Sequence, residues 1–303
     1  MIRKLLIGAA VALVAAALGV WLIYIPSQMV YAVRVPLGAD PSSVGLAYED
    51  VAFPSAGGTP LLRAWWIPAS HPRGVVIFVH GGNGNRRELY TGGLEIDRFL
   101  VDAGYSVLAP DLRNHGLSGT ARGGKITLGI DESRDVRGAI DYANRRAPGL
   151  AVALFGTSMG GAASIFAAAD DSRVTRLVLL DPLLDAPSTE AGALGATLPL
   201  PRVLIGPIRW SADTFFAADV ARRDALATAL TLRQPILLIS DDRDPVCLPQ
   251  FAHALAAGNR HVRLWTSVDP DRQVGGWGYH TGAFKLHPHE VETLVARFLA
   301  GTP

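Results

Sequence analysis

The chain has 303 residues, 49% of them apolar, and a formal net charge of +1. That supplies enough apolar material for a sizeable core and excludes a disordered chain, while the absence of any basic block argues against nucleic acid as a partner. Cys247 is the single cysteine, which excludes an intrachain disulfide and a multi-cysteine metal site.

After Arg3 and Lys4, the stretch from Leu5 to Ile25 holds no charged residue, and Pro26 follows. About 21 residues at 1.5 Å rise cross a ~30 Å hydrocarbon core. The expectation is an uncleaved, single-pass anchor over 1–26. A cleaved signal peptide is the competing reading, because Ala15-Ala16-Ala17 fits a small-x-small site. Cleavage there would leave the apolar "LGVWLIYI" at the mature end. The cations precede the span and Arg34 is the first charge after it, so the positive-inside rule keeps the N-terminus cytoplasmic and exports the remainder of the chain.

Residues 27–46 are punctuated by Pro, Gly and Ser and read as a stalk, with 47–303 as one globular domain. A strand is expected near Ala47 to Phe53 and another over "PLLRAWWIPAS", across the turn-prone "SAGGT". "GVVIFVH" (74–80) is a continuous apolar run ending in a glycine-rich loop, as in a strand buried on both faces. A helix over Arg87 to Ala103 precedes the strand "YSVLAP". A second helix covers Asp131 to Arg146, and the strand "LAVALFG" leads to a third over Met159 to Ala169. Strands "VTRLVLLD", "PILLIS" and "HVRLWTSV" follow, with helices over Pro249 to Ala257 and Pro288 to Ala300. Strands alternating with helices imply a mostly parallel sheet covered on both faces. One region breaks the rhythm: about 182–229 is far longer than one crossover needs and reads as a lid insertion.

Ligands of an open parallel sheet bind at the carboxyl ends of its strands. Ser158 stands at such an end, in "LFGTSMGGAAS", between a strand-like and a helix-like segment. Chance alone places a Gly-x-Ser-x-Gly string in roughly one chain of this composition in six, so its context has to decide. A serine nucleophile needs a base, and the base an orienting carboxylate. "DDRDPV" supplies Asp241, Asp242 and Asp244 after a later strand. Asp244 is preferred because the turn at Pro245-Val246 can point it back across the strand ends, and Asp181 is a lesser candidate. The loop after the last strand carries His280, the preferred base. His287 and His289 sit where helix capping accounts for them, and no metal site is assigned to their His-x-His-Glu spacing. His115, in "DLRNHGLSG", reads as a turn-shaping residue. An oxyanion needs two amide donors. Met159 N–H, directly after Ser158, is one; Gly82 in "HGGNGN" is the preferred second, with Asn83 next. That loop lacks the Gly-Lys-Ser/Thr of a nucleotide P-loop.

These motifs carry a resemblance. From about Ala47 to Leu299 the chain resembles an α/β-hydrolase of the serine aminopeptidase and prolyl-oligopeptidase-like branch, with "HGGNGN", "APDLRNHGLSG", "GTSMGG", "DDRDPV" and "GYHTGAF" in the places of that superfamily's motifs. The resemblance implies an eight-stranded, mostly parallel sheet, a Ser158–His280–Asp244 triad, and "DLRNHGLSG" as a structural loop near the site. "SAGGT" departs from the Asp-Gly turn common in relatives, which touches the first hairpin and not the chemistry.

The function expected is a serine hydrolase cleaving a carboxylic ester of a small-molecule acyl substrate, without metal or organic cofactor. Asn83, Trp210, Phe215 and Trp277 are the candidate substrate-binding residues. An aminopeptidase, amidase or thioesterase of the same fold is the alternative. A non-catalytic, membrane-tethered binding protein is the alternative of another class.

Overall fold

The computed structural model describes residues 1–197, 205–216, 223–267 and 279–302. An antiparallel pair, β1 (Glu49–Pro54) and β2 (Leu61–Ile67), leads into six strands that run parallel to one another: β3 (Gly74–Val79), β4 (Tyr105–Pro110), β5 (Ala151–Thr157), β6 (Val174–Leu180), β7 (Ile236–Asp241) and β8 (Val262–Ser267). Their spatial order is β1-β2-β4-β3-β5-β6-β7-β8. β2 pairs antiparallel with β4, and every pairing beyond it is parallel. Every residue of β3, β4 and β7 is buried, as a sheet covered on both faces requires.

The chain begins with α1 (Ile2–Gly19), continues through a π-helical turn (Val20–Tyr24) and ends this run with α2 (Ile25–Val30). The crossovers are α3 (Gly93–Asp102), α4 (Glu132–Arg146) and α5 (Met159–Asp170). After β6 come α6 (Ala186–Thr197), α7 (Ile205–Phe216) and α8 (Ala225–Thr231). α9 (Pro249–Gly258) joins β7 to β8, and α10 (Ala283–Leu286) and α11 (Pro288–Ala300) close the chain. Alternation along β3 divides the core. Val75, Ile77 and Val79 face one cluster with residues of α4, α5, α8 and α9. Val76 and Phe78 face the other, with residues of α3, α10 and α11.

Three departures from the sequence pattern shape the site. The helix expected from Arg87 starts only at Gly93, because Glu88 takes a positive φ of 40° and its carbonyl closes on the amides of Gly92 and Gly93. Within the 182–229 insertion, α6 and α7 pack on the N-terminal helix: Leu194, Ile205 and Ile208 meet Trp21, Ile25 and Met29. Pro26 has no N–H for the carbonyl of Leu22, four residues back, and Ser211 of α7 donates its hydroxyl to that carbonyl.

The third departure concerns residues 27–46, expected as a stalk, which lie against the domain. Ile126 N–H donates to Val30 O (2.9 Å) and Ala32 N–H to Gly124 O (3.0 Å). The Asn85 amide donates to Val35 O (2.9 Å) and the Arg87 guanidinium to Leu37 O (3.0 Å). Backbone groups paired this way are invisible to a local pattern, since the partner of Val35 lies 50 residues away.

Candidate active site

β5 ends at Thr157 and α5 begins at Met159, so Ser158 takes the corner alone, at φ 49° and ψ −119°. A non-glycine residue there costs about 1–3 kcal/mol, and close strand–helix packing holds it in place. A Cβ on Gly160 would stand 2.2 Å from Val79 O, and one on Gly156 would stand 2.6 Å from Gly160 O. Only glycine permits that approach.

The corner presents the Ser158 hydroxyl 3.0 Å from His280 Nε2, and His280 Nδ1 lies 2.7 Å from Asp244 Oδ2. A carboxylate only accepts, so Nδ1 carries the ring proton and Nε2 is left to accept from the serine. The other oxygen of Asp244 accepts from Val246 N–H (2.7 Å) and Cys247 N–H (3.0 Å), fixing the carboxylate in a turn. Burial pulls the His280 pKa down, but the charge and hydrogen bond of Asp244, with Asp181 and Glu88 behind, overcome it. The imidazole titrates above its ordinary value.

The remaining acidic candidates go elsewhere. Asp242 pairs with His253 at the surface, 2.9 Å apart. Asp241 is buried and accepts from Arg243 N–H. Asp181 accepts from Asp241 N–H (2.9 Å) through one oxygen and from Thr281 N–H (2.8 Å) through the other. It thereby clamps the acid-bearing loop to the histidine-bearing loop. Burial, reinforced by the charge of Asp244, pushes its own pKa well up.

The loop after β3 is held by side chains. Gly81 N–H donates to Glu88 Oε2 (2.7 Å), Asn83 N–H to His115 Nε2 (3.2 Å) and Gly84 N–H to Gly81 O (3.3 Å). Among the described residues, the Gly82 amide makes no hydrogen bond, and Gly82 packs against the Met159 side chain. His115 in turn rests Nδ1 on Arg113 O and stacks edge-on against His80, which accepts from Leu112 N–H. Burial keeps both rings neutral near pH 7: the pKa of His80 falls to about 3, and that of His115 is also lowered.

A cavity of about 350 Å³ opens over this edge, lined by Ser158, His280, Gly81, Gly82, Asn83 and Glu88, with Val33, Val35 and Tyr90 on its apolar side. Asn83 contributes here by accepting Val33 N–H (2.9 Å). Trp210 and Phe215 are not among the lining residues; both are more than half exposed on α7, packed edge to face. Trp277 lies outside the described residues.

Sequence reasoning missed four contributors: Val33 and Val35, hidden in the stretch read as a stalk; Glu88, hidden in a helical pattern; and Asp181 in its clamping role. Only the last left a signal, as an acidic residue at a strand end. Among the described residues, Asp244, Cys247 and His280 place ligand-type atoms within 4.8 Å of one another. The facing atoms of Asp244 and His280 are spent on each other, and burial holds the Cys247 thiol in its protonated form.

Comparison with known proteins agrees with this architecture. The family model described as "Serine aminopeptidase, S33" matches residues 70–209. Human monoglyceride lipase is 32% identical over 173 residues, which is 54% of this chain and 55% of that enzyme, so the match spans about half of the relative. An esterase from Pyrococcus furiosus superposes with a TM-score of 0.75 at 23% identity, covering 90% of this chain and 98% of the other. A thermophilic esterase from Thermogutta terrifontis follows at a TM-score of 0.58 and 18% identity, covering 84% and 98%.

Proposed function

We propose, from the premise that this chain belongs to the α/β-hydrolase superfamily, that it hydrolyses carboxylic esters of small molecules through an acyl-enzyme on Ser158. The observation that carries the reading is the unbroken hydrogen-bonded chain from the Ser158 hydroxyl through His280 to Asp244 at the floor of a cavity. In this reading His280 takes the serine proton as Oγ attacks the carbonyl carbon, and Asp244 stabilises the imidazolium that forms. Gly82 N–H, which makes no hydrogen bond among the described residues, and Met159 N–H at the start of α5 receive the oxyanion. The imidazolium then protonates the leaving alcohol. Water, deprotonated by the same ring, releases the acid and restores the serine.

Esters are favoured over peptides because the cavity lining includes the apolar Val33, Val35 and Tyr90, and its one acidic group among the described residues, Glu88, is already engaged by Gly81 N–H. The relatives, a monoglyceride lipase and esterases, point the same way. The helix over Ile2–Val30, in which an 18-residue window has a mean hydropathy of 2.5, is long and apolar enough to cross a membrane. We place the catalytic domain on the extracytoplasmic side, from the positions of Arg3 and Lys4. The test is covalent labelling by a fluorophosphonate: the wild type should label and Ser158→Ala should not. Equal labelling of both would refute the nucleophile, and no labelling of either would favour a non-catalytic binding protein. Turnover of p-nitrophenyl esters against aminoacyl-nitroanilides separates esterase from aminopeptidase.

A further inference from the structure

The N-terminal helix is fastened to the active site at a fixed height. Ile2–Val30 is 29 residues long, whereas a hydrocarbon core of ~30 Å takes about 20 residues at 1.5 Å each. With the uncharged stretch Leu5–Ile25 in the core, Pro26–Val30 rises about 7.5 Å further, roughly the depth of one headgroup layer. α7 does not stand above that layer. Its Ser211 donates to the carbonyl of Leu22, which lies inside the uncharged stretch, and its Ile208 packs with Trp21, Ile25 and Met29. α7 therefore sits at the hydrocarbon boundary.

Val33, three residues beyond the helix end, is already a wall of the cavity, and three residues reach at most about 10 Å. The connection is not a free tether. Arg34 donates to the carbonyls of His115 and Gly116, and Asn83 and Asn85 bind the backbone at Val33 and Val35. Several of the apolar side chains left exposed lie on these same pieces: Tyr24 at the outer end of the span, Trp210 and Phe215 on α7, and Val33 and Tyr90 at the cavity with Leu89 next in the chain, whereas Leu61, Leu117 and Leu230 are exposed singly elsewhere. Scattered exposed apolar residues need no account. Exposed aromatic residues on an element packed against a membrane helix do, because aromatic residues concentrate at membrane interfaces.

We infer that α7 is an interfacial element seated in the lipid surface, with Trp210 and Phe215 in contact with lipid. The cavity then draws its substrate, an amphiphilic ester, from the surrounding leaflet and not from bulk water. The inference rests on the acyl-transfer reading above.

The experiment uses the full chain reconstituted in phosphatidylcholine vesicles, with two probes: p-nitrophenyl acetate in the water and p-nitrophenyl myristate in the bilayer. Turnover of the myristate should follow its mole fraction in the membrane, so that added phosphatidylcholine dilutes the rate at constant bulk ester. The double variant Trp210→Ser/Phe215→Ser should lose about tenfold on the myristate, the scale expected when large apolar side chains lose a burial site, and should keep wild-type turnover of the acetate. A myristate rate insensitive to added lipid would overturn the inference, as would equal losses on both probes. No turnover of either probe by the wild type would instead remove the acyl-transfer reading, and this inference with it.

Discussion

Asp135→Ala tests how the loop beneath the cavity is supported. Arg113 and Asp135 are almost fully buried, with side chains 5% and 0% exposed. The guanidinium donates to both carboxylate oxygens at 2.8–3.2 Å, and Arg113 N–H adds a third link at 2.7 Å. The remaining guanidinium contact is to Ser55 Oγ at 3.0 Å. Removing the carboxylate leaves a buried cation without its counter-charge, which costs about 3–5 kcal/mol, against about 0–1 kcal/mol for an exposed pair. At about 2 °C per kcal/mol for a chain of this size, Tm should fall by roughly 6–10 °C. Tryptophan fluorescence on heating in detergent micelles reads it. Because His115 sits two residues from Arg113 and holds the Asn83 amide, fluorophosphonate labelling should also slow well below Tm. The control is Arg113→Met/Asp135→Leu, which removes both charges and should recover most of the loss. A single variant within about 2 °C of wild type, or a double variant as unstable as the single, would refute the charge argument.

Gly160→Ala should reduce labelling of Ser158 by about a hundredfold or more: the new methyl meets two backbone carbonyls, Val79 O at 2.2 Å and His80 O at 2.4 Å, and displacements of this kind near the chemistry cost on that scale. Rates comparable to wild type would show that the β3–α5 contact yields freely. The acid limb of kcat/KM should inflect above the ordinary histidine value of 6.5, because His280 must be neutral to accept a proton and its pKa is raised. In Asp244→Asn the largest opposition to burial is gone and only the weaker pull of Asp181 and Glu88 remains, so the residual activity should inflect at lower pH; an unmoved limb would mean that another group titrates. Asp97 is fully buried with neither oxygen hydrogen-bonded among the described residues, and burial holds its pKa well above 3.8. Its folded pKa exceeds the unfolded one, so whatever stability the protonated acid retains is present below pH 3.8 and is lost as pH rises through the folded pKa. Asp97→Leu should therefore raise Tm more at pH 8 than at pH 5, and a fall at both would count against it.

Chemistry-bearing residues were legible where the signal was local. Ser158 follows an apolar strand and precedes a glycine-bounded helix start, and both features are contiguous in the chain. Asp244 announced its turn through Pro245-Val246, and the two amides that grip it belong to Val246 and Cys247. Both anchors needed only a few neighbours to be read. Long-range partners were not legible. Glu88 falls within an apolar-periodic segment, and nothing nearby says that its carboxyl turns back to Gly81. The connection at 30–37 is poor in pattern, and the partners of its backbone at Asn85, Gly124 and Ile126 come from two separate loops. Trp210 and Phe215 were read as pocket residues from apolarity alone, which does not distinguish a cavity wall from a face turned outward.

The support around the site is polar, buried and backbone-directed, and this has a chemical consequence. His80 and His115 each give one ring nitrogen to a carbonyl and accept a backbone amide on the other. That pattern requires a neutral ring, and burial enforces neutrality by lowering both pKa values. Protonating either would turn an acceptor into a donor facing an N–H, so both loops depend on these rings staying uncharged. His280 is the opposite case: buried equally deeply, but set against Asp244, so its charged form is favoured. These three buried histidines are thus divided by their partners, two facing amide donors and one facing a carboxylate. The third therefore titrates above its ordinary value, while the other two keep Asn83 and Leu112 in place.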